Sequence, residues 1–187
     1  MVRSVATRIA GRAKRLLRWA AVRRLVRRED GTVAIEFAFV AMPFFALLVA
    51  TIETSLIFFA GQTLETAVAD SARMIMTLQA QNSGYDYNAF KSQICSRIHA
   101  LFDCTNGIQL DVNVASAFSS ANTANPLDAN GNLTISNTYN PGGPGDIVVV
   151  RVVYQWPVWA QFFGINLINM SGNSKLLMST AVFRNEP

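Results

Sequence analysis

The sequence predicts a membrane-anchored α+β protein, and three observations carry that prediction. Residues 33–60 are mostly apolar, and no charged residue lies between Glu36 and Glu53. The segment that follows repeats apolar residues every three or four positions, which is typical of an amphipathic helix. Two later runs rich in Val, Leu and aromatic residues have the composition of strands. We therefore expect a long N-terminal helix, first transmembrane and then amphipathic, followed by a short second helix and a small antiparallel sheet.

Residues 1–31 form a strongly basic leader. They hold ten Lys and Arg residues against two acids, a net charge of +8, whereas the other 156 residues have a net charge of −4. Short basic flanks stay cytoplasmic, so the C-terminal part is expected on the other side of the membrane. A nucleic-acid-binding arm, an organelle targeting peptide and a cytoplasmic leader held against anionic lipid are the three interpretations. The apolar run directly behind the basic segment favours the last, and no nucleic-acid partner is expected.

Residues 32–60 are predicted to be the transmembrane helix, which needs about 20 apolar residues. In hydrocarbon a lone segment must pair its backbone groups internally, so it must be helical. Glu36 and Glu53 are about 26 Å apart along such a helix, close to the thickness of the hydrocarbon core. Both acids are thus expected near its edges, and for Glu53 snorkelling alone is a sufficient explanation. Pro43 predicts either a simple bend or a loosened point used when helices pack into a filament.

The junction at Gly31 carries a resemblance. Gly31 ends the basic leader, the apolar helix begins at Thr32, and Glu36 and Phe37 are the fifth and sixth residues after the glycine. With Pro43 inside the apolar run, this order resembles the processing region of the TadE-like pseudopilins, or minor pilins, of the Tad (Flp, type IVc) pilus system. The resemblance covers roughly residues 27–76. Further matching positions are Ala34, Ala38, Glu53, Leu64, Ala67, Ala72 and Arg73.

The resemblance implies a pilin-like fold and a defined processing step. A prepilin peptidase would cut between Gly31 and Thr32, and Glu36 would then pair with the N-terminal amine of a neighbouring subunit, with Phe37 beside it. Implied partners are other pilin-like subunits, the pilus assembly platform and the bacterial inner membrane, with a periplasmic C-terminal domain. The acidic Glu29–Asp30 pair departs from relatives that are basic there. The alternative is an unprocessed single-span envelope protein that acts as a static assembly component.

Residues 61–81 are predicted to extend the helix as an amphipathic segment, and residues 82–187 to form the α+β domain. Tyr85 begins the predicted second helix, and the stretch between residues 115 and 145 is rich in Asn, Ser, Gly and Pro, hence mostly loop. Alternation of apolar and polar residues marks the first strand. The predicted elements are a helix over 85–102, strands over 108–114, 146–156 and 175–184, and a short strand over 133–135.

Cys95 and Cys104 are placed outside the cytoplasm by this topology. They are predicted to form a disulfide that stabilises the fold by about 2–3 kcal/mol, with two unpaired buried thiols as the alternative. Four aromatic residues near the last strands are expected to pack in the core or at its rim, and a partner-binding or membrane-facing patch is the other interpretation. These residues are Trp156, Trp159, Phe162 and Phe163.

No catalytic or metal-binding set emerges from the residues. His99 is the one histidine, and it has no second histidine or thiolate cluster to complete a metal site. The loop at residues 128–132 has part of a calcium-loop pattern, but Leu133 takes the glycine position and Tyr139 the closing acid position. No nucleophile, base and acid can be combined, so we predict no cofactor and no enzymatic activity.

Overall fold

The computed structural model describes residues 29–98, 102–104, 106–159 and 166–187. The basic leader over residues 1–28 lies outside the described part, as do His99, Phe162 and Phe163. The helices are α1 (Glu29–Met76), α2 (Gln79–Asn82) and α3 (Tyr87–Cys95), and the strands are β1 (Ile108–Ala115), β2 (Ile147–Pro157) and β3 (Ser174–Arg184), with a short 3₁₀ turn at Phe118–Ser120. The predicted α+β class, with a long apolar N-terminal helix and a small antiparallel sheet, is confirmed.

The chain divides into two compact units, Met1–Leu48 and Val49–Pro187. In the first unit the described residues are the beginning of α1, whose helix continues through Pro43 without interruption. The stretch Thr32–Met76 is long and apolar enough to cross a membrane: its most apolar window has a mean hydropathy of 2.3, and 6% of that window is buried. The exact division into leader, span and amphipathic extension stays a prediction.

In the second unit α1 is amphipathic from Gly61 to Met76, and its buried face begins at Ile57. One face is buried at steps of three and four residues, as the periodicity predicts. This face joins one hydrophobic core with α3, which contributes Phe90 and Ile94, and with the inner face of the sheet. The buried residues of α1 are Ile57, Ala60, Leu64, Ala67, Val68, Ala72 and Ile75, and those of β1 and β2 include Ile108, Leu110, Val112, Val148, Val150 and Val152.

The sheet has three antiparallel strands in the order β1-β2-β3. Val112 of β1 pairs with Val150 of β2, which in turn pairs with Ala181 of β3. These three residues point to the same face because side chains alternate along each strand, and that face is the one packed against the helices. The short strand predicted at residues 133–135 is reduced to one bridge between Leu127 and Leu133.

The helix boundaries in the second unit differ from the prediction. α1 ends at Met76, five residues before the predicted end at residue 81, because Leu78 adopts a left-handed conformation with φ of 60° that the helix cannot continue through. Helix α3 begins two residues later than predicted because the carboxylate of Asp86 caps it and accepts the backbone N–H of Ala89 at 2.7 Å. It ends at Cys95, whereas the prediction extended it to residue 102.

Cys95 and Cys104 form a disulfide, with sulfur atoms 2.22 Å and Cα atoms 5.8 Å apart. The bond ties the end of α3 to the segment that leads into β1. In that segment Gly107 passes under the ring of Tyr154, where a Cβ atom would lie within 2.8 Å of the backbone oxygen of Asp103. A side chain at residue 107 would therefore push the ring and the loop apart.

Candidate processing and assembly site

The residues predicted to serve in processing and assembly lie in the first turns of α1. The backbone is helical on both sides of the Gly31–Thr32 bond. Thr32, Glu36 and Phe37 are exposed, Phe37 to 70%. Thr32 and Glu36 are four positions apart, so they lie on the same face of the helix, one turn from each other. If the chain were cut between Gly31 and Thr32, the new N-terminal amine of Thr32 and the carboxylate of Glu36 would thus lie on the same face of the helix.

Large apolar side chains cover α1 on all sides between residues 33 and 59. In an aqueous protein such residues would be gathered on one face and buried, whereas here they occupy nearly every position around the axis. Their exposed fractions range from 37% to 77%. They are Val33, Ile35, Phe37, Phe39, Val40, Met42, Phe44, Phe45, Leu47, Leu48, Val49, Ile52, Leu56, Phe58 and Phe59. This surface must be covered by lipid or by other helices.

The polar side chains of this stretch differ in how they are paired. The hydroxyls of Ser55 and Thr63 donate to the carbonyls of Thr51 and Phe59, each at 2.8 Å, so they need no outside partner. Glu36 forms no ion pair with any residue that the structure describes. A carboxylate within a membrane helix costs about 2.5–3.5 kcal/mol at the bilayer centre, so its position calls for a counter-ion or for the membrane edge.

Pro43 lies inside α1 and is exposed. As a proline it cannot donate to the carbonyl of Phe39, one turn before it. The rings of the next two residues, Phe44 and Phe45, meet edge to face with centroids 5.4 Å apart. The helix continues through this position, and the two interpretations of Pro43, a bend or a packing point, both stay predictions.

Glu53 has a partner that the sequence did not reveal. Its Oε1 accepts the backbone N–H of Trp159, 106 residues further along the chain, at 2.6 Å. Both residues belong to the second unit. Trp159 itself is 71% exposed, whereas Trp156 is half-buried and contacts the rings of Phe102 and Tyr154. Glu53 is therefore bonded to the segment that leaves β2, a contact that the membrane-edge prediction did not include.

The outer face of the sheet holds an ion pair that sequence reasoning missed. Arg151 Nη2 donates to Asp111 Oδ2 at 2.6 Å, and the two side chains are 10% and 1% exposed. Asn113 and Thr138 also donate to the Asp111 carboxylate. Burial alone would raise the pKa of Asp111, but these three hydrogen bonds and the positive charge of Arg151 bring it below its ordinary value of 3.8. The signal was a single arginine within the apolar run of β2.

In the loop at residues 128–132, the carboxylate of Asp128 is hydrogen-bonded to other residues of the same loop. Asp128 Oδ1 accepts the backbone N–H groups of Asn130 and Asn132, each at 2.8 Å, and Gly131 takes the left-handed conformation with φ of 77°. Hydrogen bonds from the backbone and then the side chain of Asn132 lower the pKa of Asp128. Among the residues that the structure describes, no group of three or more His, Cys, Asp or Glu could hold a metal ion.

Comparison with known proteins bears on the first part of α1. Residues 31–73 match the family model described as TadE-like protein. The match begins at the glycine of the predicted cleavage site and ends within α1, so it includes Glu36, Pro43 and Glu53. No curated protein and no solved structure matches the chain. The resemblance read from these residues is thereby confirmed over this stretch.

Proposed function

With a TadE-like domain at residues 31–73 as the premise, we propose that the protein is a pseudopilin, or minor pilin, that takes part in assembling a Tad (Flp) pilus. One observation supports this most directly: between residues 33 and 59 α1 exposes large apolar side chains nearly all around its axis, and Glu36 lies one turn after Thr32. Such a surface suits a helix that lies first in lipid and then among other pilin-like helices. The proposed role is structural rather than catalytic.

Processing would separate the leader from the helix. We propose that a prepilin peptidase cuts between Gly31 and Thr32, where the peptide bond lies in helical backbone. A peptidase must unwind that turn, and glycine lowers the cost because it favours a helix by about 1 kcal/mol less than alanine. The cut removes a segment with a net charge of +8, which otherwise holds the N-terminus on the cytoplasmic side.

Glu36 would then take part in assembly. As the fifth residue of the mature chain, it lies one turn from the new positive amine of Thr32, near the positive end of the helix dipole. In low dielectric an unpaired carboxylate is costly, and an opposite charge on a neighbouring subunit offsets that cost. Pairing with the amine of a neighbour, with Phe37 packed beside it, would fix the stagger between adjacent helices.

The proposed location is the bacterial inner membrane, crossed once, with the N-terminus cytoplasmic and the distal domain periplasmic. The disulfide between Cys95 and Cys104 supports an oxidising compartment for that domain. Prepilin peptidase, other pilin-like subunits and the assembly platform are the proposed partners. The alternative, an uncleaved single-span assembly component, has the same topology and keeps its leader.

The processed pseudopilin and the uncleaved alternative are distinguished by the intact mass of the protein, measured from cells that contain the peptidase. We expect a mature chain that begins at Thr32, and Gly31→Val should leave the full-length chain. Gly61→Val is the matched control in the same helix, because a Cβ atom at Gly61 would meet no atom within 4 Å. A native chain that retains its leader would refute processing.

The role of Glu36 is tested on filaments rather than on mass. Glu36→Leu should be cleaved normally and yet be missing from sheared pili. The control is Glu65→Leu, since Glu65 is an exposed acid of the same helix with a single weak hydrogen bond from Gln62 at 3.3 Å. Normal piliation by the Glu36→Leu protein would contradict the proposed pairing.

A further inference from the structure

An apolar groove lies where α1 meets the end of β2, inside the unit Val49–Pro187. Its volume is about 270 Å³, below the roughly 300–1,000 Å³ of typical small-molecule sites. Glu53 is the one acid among its lining residues. The apolar lining residues are Val49, Ile52, Leu56, Trp156, Pro157 and Trp159. A groove with these walls suits a hydrocarbon chain better than a polar or bulky ligand.

The backbone at the rim of the groove is paired in a way that suits a water-poor surrounding. The N–H of Trp159 donates to Glu53 Oε1 at 2.6 Å, and the N–H of Val158 donates to the carbonyl of Asn173 at 2.8 Å. An unpaired N–H next to lipid would cost several kcal/mol. These two backbone N–H groups are thus hydrogen-bonded within the protein and can lie next to lipid, at the point where the Trp159 ring is 71% exposed.

Two observations together place this rim at one depth in the membrane. Residues 37–52 are free of charge and span about 24 Å as a helix, so Glu53 marks the end of the apolar run. A carboxylate is costly inside hydrocarbon and is stable at its edge. The hydrogen bond from Trp159 to Glu53 holds the indole at that same edge, where tryptophan is enriched in membrane proteins.

We infer that the groove and the Trp159 ring lie in the interfacial layer of the bilayer, and that phospholipid acyl chains near the glycerol level occupy the groove. Val49, Ile52 and Leu56 belong to the candidate span, so the apolar surface of the groove continues that of the membrane helix. The domain is then held at the membrane by a second contact besides its helix. Glu53 is the positioning residue. This inference requires membrane anchoring and is independent of cleavage at Gly31.

Fluorescence quenching in nanodiscs tests the inference on the full-length chain. The discs contain phosphatidylethanolamine and phosphatidylglycerol, with bromine placed on the acyl chains near the headgroup or near the methyl end. Trp19→Phe with Trp156→Phe leaves Trp159 as the single tryptophan. The matched control replaces all three tryptophans by phenylalanine and carries Phe118→Trp, because Phe118 is 58% exposed and follows the end of β1 that pairs with the start of β2, away from the groove. Bromine near the headgroup should quench Trp159 roughly two-fold more than bromine near the methyl end, as expected for an interfacial indole.

Each result decides the matter. Preferential quenching of Trp159 over the Phe118→Trp control by the shallow bromine supports the inference. Quenching of Trp159 by aqueous iodide and not by bromolipid would place the ring in water and overturn it. Protection from both quenchers would show that protein, such as a second copy, covers the groove, and would overturn it as well.

Variants of Glu53 test the positioning role separately. In the single-Trp159 protein, Glu53→Gln keeps an oxygen that can accept the Trp159 N–H and should preserve the shallow quenching. Glu53→Leu removes the acceptor and should lower that quenching roughly two-fold, toward the value of the Phe118→Trp control. Equal quenching in both variants would show that Glu53 does not position Trp159. The Trp159 quenching experiment uses the protein with its native Glu53, so it tests the location of the groove even if the Glu53→Leu protein does not fold.

Discussion

Apolar side chains are exposed along residues 32–48, whereas they form a buried core in the second unit, Val49–Pro187, which is called the domain below. In the first stretch Ile35 is 56% exposed and Phe39 77%, and every neighbour of theirs along the helix is similarly uncovered. In the domain Ile75 and Phe90 are fully buried, and the helix face that contains Ile75 packs into a core with the sheet. Both regions include part of α1, so the difference does not come from secondary structure.

The difference lies in where each region finds its packing partners. The domain carries its own partners, since its strands and α3 cover the amphipathic face of α1. The beginning of the helix depends on surroundings that the chain does not supply. Under the proposed function these are lipid before assembly and other pilin-like helices afterwards. Substitutions in the domain should therefore change its unfolding free energy, whereas those in residues 32–48 should leave it unchanged.

The largest expected effect comes from the buried ion pair. Arg151→Met leaves the 1% exposed Asp111 without its cation, and breaking such a pair costs about 3–5 kcal/mol. Chemical denaturation in detergent micelles, followed by tryptophan fluorescence, measures the loss. Cleavage at Gly31 should proceed as in the native protein, because the pair lies in the domain.

Acid denaturation checks the charge of Asp111 independently. Its pKa is lowered in the folded state, so its stabilisation is complete above the ordinary value of 3.8 and is lost as the pH falls through the lower folded pKa. In Arg151→Met this acid-dependent step should shrink. Because replacing both partners of a buried pair by apolar residues is often neutral, Asp111→Leu with Arg151→Met should recover most of the loss. If the double variant were as unstable as the single one, the pair would not be the cause.

A matched pair of isoleucines probes α1 directly. Ile75→Ala removes a fully buried side chain and should destabilise the domain by about 2–5 kcal/mol, as cavity-forming substitutions do. Ile35→Ala makes the same change where the side chain is 56% exposed, and its effect on the same denaturation curve should stay within about 0.5 kcal/mol. Similar losses for both would mean that the two parts of the helix unfold as one unit.

The sequence was sufficient wherever one local pattern decides the outcome. Strand β1 was predicted over residues 108–114 and is Ile108–Ala115. Alternation of apolar and polar residues indicates a half-buried strand, because only a strand points successive side chains to opposite faces. The apolar run and the glycine spacing likewise predicted the resemblance to TadE-like proteins, which the family model matches over residues 31–73. The cap at Asp86 was a local signal that the prediction overlooked, whereas the left-handed Leu78 had none, since leucine rarely adopts that conformation.

Contacts across the fold were beyond the sequence. Asp111 and Arg151 are 40 residues apart, and Glu53 and Trp159 are 106 apart. A sequence shows that a charge interrupts an apolar run, but which group neutralises it depends on the strand register and on how the loop after β2 returns to α1. The disulfide was accessible because two cysteines allow a single pairing.

The smallest expected effect concerns Tyr139 and is confined to the domain, since residues 32–48 contain no tyrosine. Burial, then the nearby Asp86 and Tyr85, raise the pKa of Tyr139 to about 12, and its hydroxyl has no hydrogen-bond partner among the described residues. Unfolding lowers that pKa, so the native protein should lose stability as the pH rises from about 10 to about 12.

Tyr139→Phe removes both the titration and the unpaired hydroxyl. At neutral pH the variant should equal the native protein or exceed its stability by about 1 kcal/mol, and its alkaline loss should be smaller. Tyr87→Phe is the control, because it makes the same change at a tyrosine whose hydroxyl is paired with Asn137 at 3.2 Å. Thermal unfolding across this pH range measures both. If the two variants lost stability equally above pH 10, ionisation of Tyr139 would not be what weakens the domain, and the alkaline loss would have to arise elsewhere in the fold.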